Sequence, residues 1–262
     1  MKLADLRELA EAGARSAGEL LLGGRPETLT FETKTTPTDV VTEMDKAAER
    51  LLVEHLLGAR PDDAVLAEEG GATQGTSGVR WVLDPIDGTV NYLYGLPGWA
   101  VCVAAEVDGV VEVGVVAHPA MDELYVGVRG EGAWCNGVPI AVGEPTELAQ
   151  ALIGTGFGYA VDRRTTQVAV LTSMLPQVRD IRRMGSAALD LCAVAAGRLD
   201  GYYERGLQPW DLAAAGLIAQ EAGAVVAGLH GAPAGEDLVI AAPPTIFEAL
   251  HDALAPLKPN EG

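Results

Sequence analysis

Three features of this sequence predict a layered α/β fold. Two stretches near the N-terminus carry helical periodicity, strand-like segments run from Trp99 to about Val128 with no helix between them, and strand and helix patterns alternate through the second half. The chain has 262 residues, 48% of them apolar, with polar punctuation throughout; it can bury a real core as one large domain or two joined ones.

In chain order, Leu3 to Leu22 and Thr42 to Leu57 read as helices, and Thr42 stands where it can cap the second. "DDAVLAEEGG" is a short strand running into a Gly-rich turn, and "GVRWVLD" is the next strand. "WAVCVAAEV", "GVVEVGVVAH" and "DELYVGVRG" follow as strands of an antiparallel sheet, with Asp108-Gly109 as a hairpin turn. In the second half "ALIGTGF", "RDIRRM", "LDGYYER", "AVVAGL" and "LVIAAP" read as strands. "TTQVAVLTSMLPQV", "SAALDLCAVAAG", "WDLAAAGLIAQEAG" and "PTIFEALHDAL" read as helices. A boundary near "AVGEPTELAQ" divides an N-terminal α+β half, residues 1–145, from a C-terminal α/β half, residues 146–262. That segment lacks linker composition, so the halves are expected to pack as one unit.

Acidic residues number 37 against 18 basic ones, a net charge of −19. Such a surface repels a nucleic-acid backbone, so no direct nucleic-acid contact is expected. An excess of carboxylates suits divalent cations, although simple solvation accounts for most of them. The N-terminus has neither the unbroken apolar core nor the cleavage site of a signal peptide, and no stretch reaches bilayer-spanning length. The three cysteines are odd in number, and Cys102 and Cys192 sit in apolar runs. They read as buried free thiols of a cytoplasmic protein that needs no membrane.

The stretch "WVLDPIDGT", Trp81 to Thr89, ends an apolar run in two aspartates. Asp84 falls at the strand end, Pro85 restrains the backbone around it, and Gly88 permits a tight turn into a short helix beginning at Thr89. Two hard oxygen ligands beside helix-start N–H groups suit a cation next to a phosphate; a plain Asp-Pro-Gly loop fits the same letters. Glu68 and Glu69 in "LAEEGG" end the preceding strand. Asp211 in "PWDLAAAG" opens a helix, where it also fits as a cap, and Asp45 fits equally as a first-turn charge behind Thr42. No zinc, Ser-His-Asp or P-loop pattern competes, and carboxylates without His or Cys select Mg²⁺ or Mn²⁺.

These segments resemble the inositol monophosphatase family. "WVLDPIDGTVNYLY" and "WDLAAAGLIAQEAGA" match its two signatures, and "KTTPTDVVTEMD" and "AEEG" resemble its two upstream motifs in the same order. The likeness covers about residues 5 to 255. It implies an α/β/α/β/α five-layer sandwich, a homodimer, and a lithium-sensitive Mg²⁺-dependent phosphomonoesterase acting on myo-inositol 1-phosphate. Histidinol phosphate, fructose 1,6-bisphosphate and nucleotide phosphates are the alternatives, together with a regulatory protein-binding role.

The resemblance also implies residue roles. Asp84 would bridge two Mg²⁺ ions; Glu68 and the Ile86 carbonyl would complete the site that activates the attacking water, and Asp87 and Asp211 the site near the leaving oxygen, with a third, weaker ion near Glu68. Thr89, hydrogen-bonded to Asp45, would help deprotonate the water, with Glu68 in the same catalytic group. Gly88 and Thr89 N–H groups would hold the phosphate. Glu204, Ser186, Ala187 and Asp211 would face the substrate, and Lys34 would stand near the site. Two departures concern the substrate side: "AEEGG" lacks a following Ser, and Asp190 stands where some family members carry an amide.

Overall fold

The computed structural model describes residues 2–26 and 28–260. The first half contains α1 (Leu3–Gly23), β1 (Phe31–Thr33), β2 (Val40–Thr42), α2 (Glu43–Ala59), β3 (Ala64–Ala67), β4 (Gly71–Thr73) and β5 (Val79–Asp87). It continues through α3 (Thr89–Leu93), β6 (Ala100–Val107), β7 (Val110–His118), β8 (Glu123–Val128), β9 (Gly132–Cys135) and β10 (Val138–Pro139). The second half contains β11 (Leu152–Thr155), α4 (Val161–Met174), β12 (Asp180–Arg182), α5 (Ala187–Ala195) and β13 (Gly201–Glu204). It ends with α6 (Pro209–Glu221), β14 (Val225–Ala227), β15 (Val239–Ala242) and α7 (Pro244–Leu254).

An eight-stranded sheet runs in the order β10-β9-β8-β7-β6-β5-β3-β4, and a five-stranded sheet in the order β12-β11-β13-β15-β14. In the large sheet only β3 and β5 pair in parallel; β5 through β9 form the antiparallel run the sequence predicts. Its tightest hairpin turns at Asp108 and Gly109, with φ of 50° and 84°, the left-handed pair that a two-residue hairpin loop requires.

Strand alternation divides the side chains between two cores. Trp81 and Leu83 of β5 and Val101 and Val103 of β6 face α1 and α2, while Val82, Cys102 and Ala104 face α5 and α6. The smaller sheet covers the other side of α5 and α6, and α4 and α7 close its far face around Ile153, Ile240 and Leu250. The layers are therefore helix, sheet, helix, sheet, helix, as the resemblance implies.

The central layer explains its own composition. All nine residues of α5 are buried, and α6 is rich in Ala and Gly because sheets approach it on both sides. A Cβ on Gly127 would lie 2.9 Å from the Ile218 Cα, and one on Gly114 would strike the Ala214 carbonyl. Small residues on strand and helix thus let α6 lie directly on β7 and β8, which sets where its first turn emerges beside β5.

Several short elements escape the sequence pattern. β1 is exposed at every position, so no alternation marks it. β4, β9 and β10 have at most four residues each, too few for a period to register. The pattern places the fourth helix at residues 165–178, whereas α4 opens earlier, at Val161, and gives way to a 3₁₀ turn at Leu175–Gln177. Pro176 has no N–H with which to continue the ladder. Cys102 and Cys192 are buried free thiols and Cys135 is half-buried and free. No helix among the described residues is long and apolar enough to cross a membrane.

Candidate active site

Side chains three apart on a regular strand point to opposite faces. Asp84 and Asp87 do not, because β5 carries a bulge between them. Asp84 pairs with Cys102 and Asp87 with Ala100, so three steps on β5 match two on β6. Pro85 lies inside the bulge, where its missing N–H removes no ladder bond. Gly88 then turns the chain at φ 96°, and a Cβ there would sit 2.8 Å from the Gly98 carbonyl. The turn needs glycine for both reasons.

Asp211 arrives from the other half of the chain, in the first turn of α6. Its Oδ2 accepts from the Gln208 N–H at 2.7 Å, so it does close a helix end, and its carboxylate still reaches the same place as the β5 pair. Oxygens of Asp84, Asp87 and Asp211 lie within 4.8 Å of one another. Burial pushes all three carboxyls up, and charge repulsion within the group (from Glu68, Asp87 and Asp211 at Asp84, from Asp87 at Asp211) adds to it. Asp87 is partly relieved by the Ser186 hydroxyl at 2.6 Å and the Ala188 N–H at 2.7 Å. Hard oxygen donors crowded together in a buried position fit a divalent cation, which would remove the repulsion.

Asp45 serves two structures at once. Its Oδ2 accepts from the Thr42 N–H at 2.8 Å and from the Thr42 hydroxyl, closing α2 in a capping box. Its Oδ1 faces the Thr89 hydroxyl at 3.1 Å, and that hydroxyl also lies 3.0 Å from the Ile86 carbonyl. Burial raises the Asp45 carboxyl to about 6 against the lowering effect of the bonds from Thr42 and Thr89. Glu68 sits at the cleft edge with Oε1 2.7 Å from Lys34 Nζ, and the same ammonium holds Glu69.

A cleft of about 450 Å³ joins these groups. Of the residues singled out in the sequence, Glu68, Asp84, Ile86, Asp87, Gly88, Thr89, Ala187, Glu204, Asp211 and Lys34 line it. Asp45 and Ser186 are buried behind it. The Ser186 hydroxyl donates to Asp87 and accepts from the Leu189 N–H at 3.2 Å as the cap of α5, so it positions a carboxylate, while Gly185 and Ala187 on either side of it line the cleft.

Glu204, at the end of β13, accepts from the Tyr202 hydroxyl at 2.6 Å, and burial lifts its carboxyl to about 7. Asp190 lies under the Gly154 backbone and not in the cleft; its Oδ1 has no partner among the described residues, and burial holds its carboxyl well above the usual range. Phe157, Tyr159, Trp210, Arg163, Arg183 and Arg205 also line the cleft. Only Trp210, next to Asp211 in the second signature, had a sequence signal that could have found it.

A second acidic group, Glu248, His251 and Asp252, sits on α7. His251 Nε2 already accepts from the His230 N–H at 3.0 Å and Nδ1 faces Asp252 at 2.9 Å, so both ring nitrogens are engaged.

The chain matches the inositol monophosphatase family over residues 2–258. It is 50% identical to an inositol-1-monophosphatase of Mycobacterium leprae, over 84% of this chain and 80% of that protein. It is 42% identical to a Nus factor SuhB of Pasteurella multocida, over 93% of both. Its fold superposes on Mycobacterium tuberculosis SuhB with a TM-score of 0.84 at 44% identity, over 98% of each chain. The chain belongs to the inositol monophosphatase family and is a phosphatase of that family.

Proposed function

We propose that the protein hydrolyses myo-inositol 1-phosphate, or a closely related small phosphate monoester, to the alcohol and inorganic phosphate. The observation that carries this reading is the convergence of Asp84, Asp87 and Asp211 in one cleft with the Thr89–Asp45 pair. Glu68, Asp84, Asp87, Asp211 and the Ile86 carbonyl would hold two Mg²⁺ ions, with a third near Glu68 and Mn²⁺ as a substitute. Divalent cations there supply neutralisation of the phosphate dianion and acidification of water.

The chain's own residues do the rest. Gly88 and Thr89 N–H groups orient the phosphate at the α3 start. The Thr89 hydroxyl accepts a proton from water while donating its own to Asp45, whose carboxyl, raised to about 6, is matched to proton transfer near neutral pH. Ser186 and the Ala188 N–H keep Asp87 aimed into the cleft. Glu204 accepts a hydroxyl of the alcohol half, and the Ala187 methyl leaves room beside it. Oligomerisation as a homodimer is supported by exposed Tyr94, Leu96 and Met184, on segments that Asn91 ties together through the Met184 carbonyl at 2.8 Å. Cytoplasmic residence is supported by the free cysteines.

A phosphate-release panel of inositol 1-phosphate, histidinol phosphate, fructose 1,6-bisphosphate and 3'-phosphoadenosine 5'-phosphate tests the reading. Inositol 1-phosphate should give the highest kcat/KM, and chelation by EDTA should abolish turnover. Full activity in EDTA, or none on any substrate, would overturn it. The Nus factor name of one relative motivates a second role, as a protein-binding regulator alongside catalysis. A pull-down with an inactive Asp84→Asn protein separates the two roles.

A further inference from the structure

We propose that Glu49, a buried carboxylate on α2 behind the cleft, is a positioning residue that holds the 68–70 turn and so aims Glu68. This rests on the reading of Glu68 as a metal ligand and adds a residue to the machinery that supports it.

The buried face of α2 consists of Met44, Ala48, Leu52 and Leu56, interrupted by two acids, Asp45 and Glu49. They stand four residues apart, about one turn, and so share that face. Asp45 is engaged by Thr42 and Thr89. Glu49 reaches a different wall of the cleft. Its Oε2 accepts from the Glu69 N–H at 2.8 Å, and the Gly70 N–H acts on the same carboxylate. A Cβ on Gly70 would sit 2.5 Å from Glu49 Oε1, so the glycine leaves the notch in which the carboxylate rests. On the other side, the Glu68 N–H donates at 3.3 Å to the carbonyl of Leu83, the residue before Asp84. The peptide units flanking Glu68 are thereby pinned, one to β5 and one to α2.

Burying a carboxylate is costly, and this turn does not need one to satisfy its donors. Gly70 is exposed, so water can serve its N–H. What water does not supply is a fixed position. The Glu68 side chain is only half-buried and is held by the Lys34 ammonium, which Glu69 shares. Glu68 therefore takes its aim from its backbone, and Glu49 is the side chain that fixes that backbone. Asp87 has comparable support from Ser186, and Asp211 from the Gln208 N–H.

The test titrates Mg²⁺ by calorimetry into the wild type, Glu49→Gln, Glu68→Gln, their double variant and Gly70→Ala, with Tm measured in EDTA. A Gln side chain offers one acceptor oxygen and one donor group to a turn that presents two N–H groups, so it cannot hold both. Glu49→Gln should weaken Mg²⁺ binding about 10-fold, as the loss of a group that orients a ligand does. The Mg²⁺ needed for half-maximal hydrolysis of inositol 1-phosphate should rise in parallel, with KM at saturating Mg²⁺ unchanged. The double variant should bind Mg²⁺ no more weakly than Glu68→Gln, because Glu49 acts only through Glu68. Gly70→Ala keeps the Glu49 charge but fills its notch, and should weaken Mg²⁺ at least about 3-fold. It separates position from charge and decides the matter should Glu49→Gln fail to fold. Unchanged Mg²⁺ affinity in a folded Glu49→Gln, or in Gly70→Ala, would overturn the proposal, and a lower Tm alone would make Glu49 a purely structural link. Losses that multiply in the double variant would overturn it as well. If Glu68→Gln weakens Mg²⁺ and Glu49→Gln does not, only the positioning role falls. Wild-type Mg²⁺ affinity in Glu68→Gln would end the ligand reading together with the proposal.

Discussion

The two sides of the cleft are built in different ways. On the phosphate side, Asp84, Asp87 and Thr89 stand on a bulged strand and a short helix whose backbone is buried between two cores, and each side chain is held by a second residue. On the alcohol side, Glu204, Arg163 and Arg183 stand at or near element ends around the partly buried loop of residues 156–159, and neither arginine forms an ion pair with a described residue. The difference shows where preorganisation is needed. Charges that repel one another stay together only when the fold over-determines them, whereas groups that meet a variable alcohol need reach more than rigidity.

The largest expected effect breaks the phosphate side. Asp84→Asn should lower kcat by at least about 10³-fold, roughly 4 kcal/mol of barrier, and weaken Mg²⁺ binding measured calorimetrically. In EDTA its Tm should match or exceed that of the wild type, since a buried repelling charge is gone. A collapsed Tm would make Asp84 a folding residue instead. Thr89→Ala should follow, with kcat down about 10²–10⁴-fold and KM little changed. Asp45→Asn should lose a similar factor, and the double mutant should be hardly worse than either single one. Multiplicative losses would separate the two residues and leave Asp45 as the cap of α2. The shared geometry adds a stability effect for Asp45→Asn alone, on the order of 1 kcal/mol, from the weakened capping box.

Ser186→Ala sharpens the idea that the phosphate side depends on support from behind. Removing the hydroxyl that orients Asp87 should reduce Mg²⁺ affinity by about 10–100-fold, with substrate KM at saturating Mg²⁺ nearly unchanged. A KM effect at saturating metal would put Ser186 against the substrate instead.

Glu204→Gln probes the looser side and should be milder. Catalytic efficiency on inositol 1-phosphate should drop roughly 10-fold, and hydrolysis of a plain aryl phosphate should hold steady. Equal losses on the two substrates would assign Glu204 to the metal site.

The smallest effect concerns pH and uses both sides. Burial lifts Asp45 to about 6 and Glu204 to about 7, so the folded chain binds more protons than the unfolded chain between their ordinary carboxylate values and these raised ones. Stability of the metal-free protein therefore falls as pH rises through that window, and Tm in EDTA should be lower at pH 8 than at pH 5 by about 5–10 °C. Added Mg²⁺ should recover much of the loss at pH 8. A Tm that rises with pH in EDTA would mean that these carboxyls are not held protonated by burial.

Helices α1, α2, α5, α6 and α7 and strands β5 to β8 were legible in the sequence, because each is long enough for its apolar period, or its nearly unbroken apolar run, to show. So were the residues of the two signatures, because Asp, Pro and Gly in that order restrict the backbone locally. Local letters could not say that Asp84 and Asp87 share a face, since regular strand geometry puts them on opposite ones. Only pairing with β6 produces the bulge that turns them together. Nor could they say whether Asp45 and Asp211 were caps or cleft residues. Each proved to be a cap whose carboxylate makes a second contact: Asp45 Oδ1 meets the Thr89 hydroxyl within its own half, and Asp211 joins Asp84 and Asp87 from the other half of the chain. The arginines of the alcohol side had no signal in sequence at all, for their positions depend on which loops the two sheets bring to one end. Sequence by itself determined the layered α/β class, through local period, and the family, through its signature motifs, and that resemblance implied the layer order and the acidic groups. Their facing directions, their partners and the asymmetry of the cleft were decided by tertiary packing, which joins residues more than a hundred positions apart.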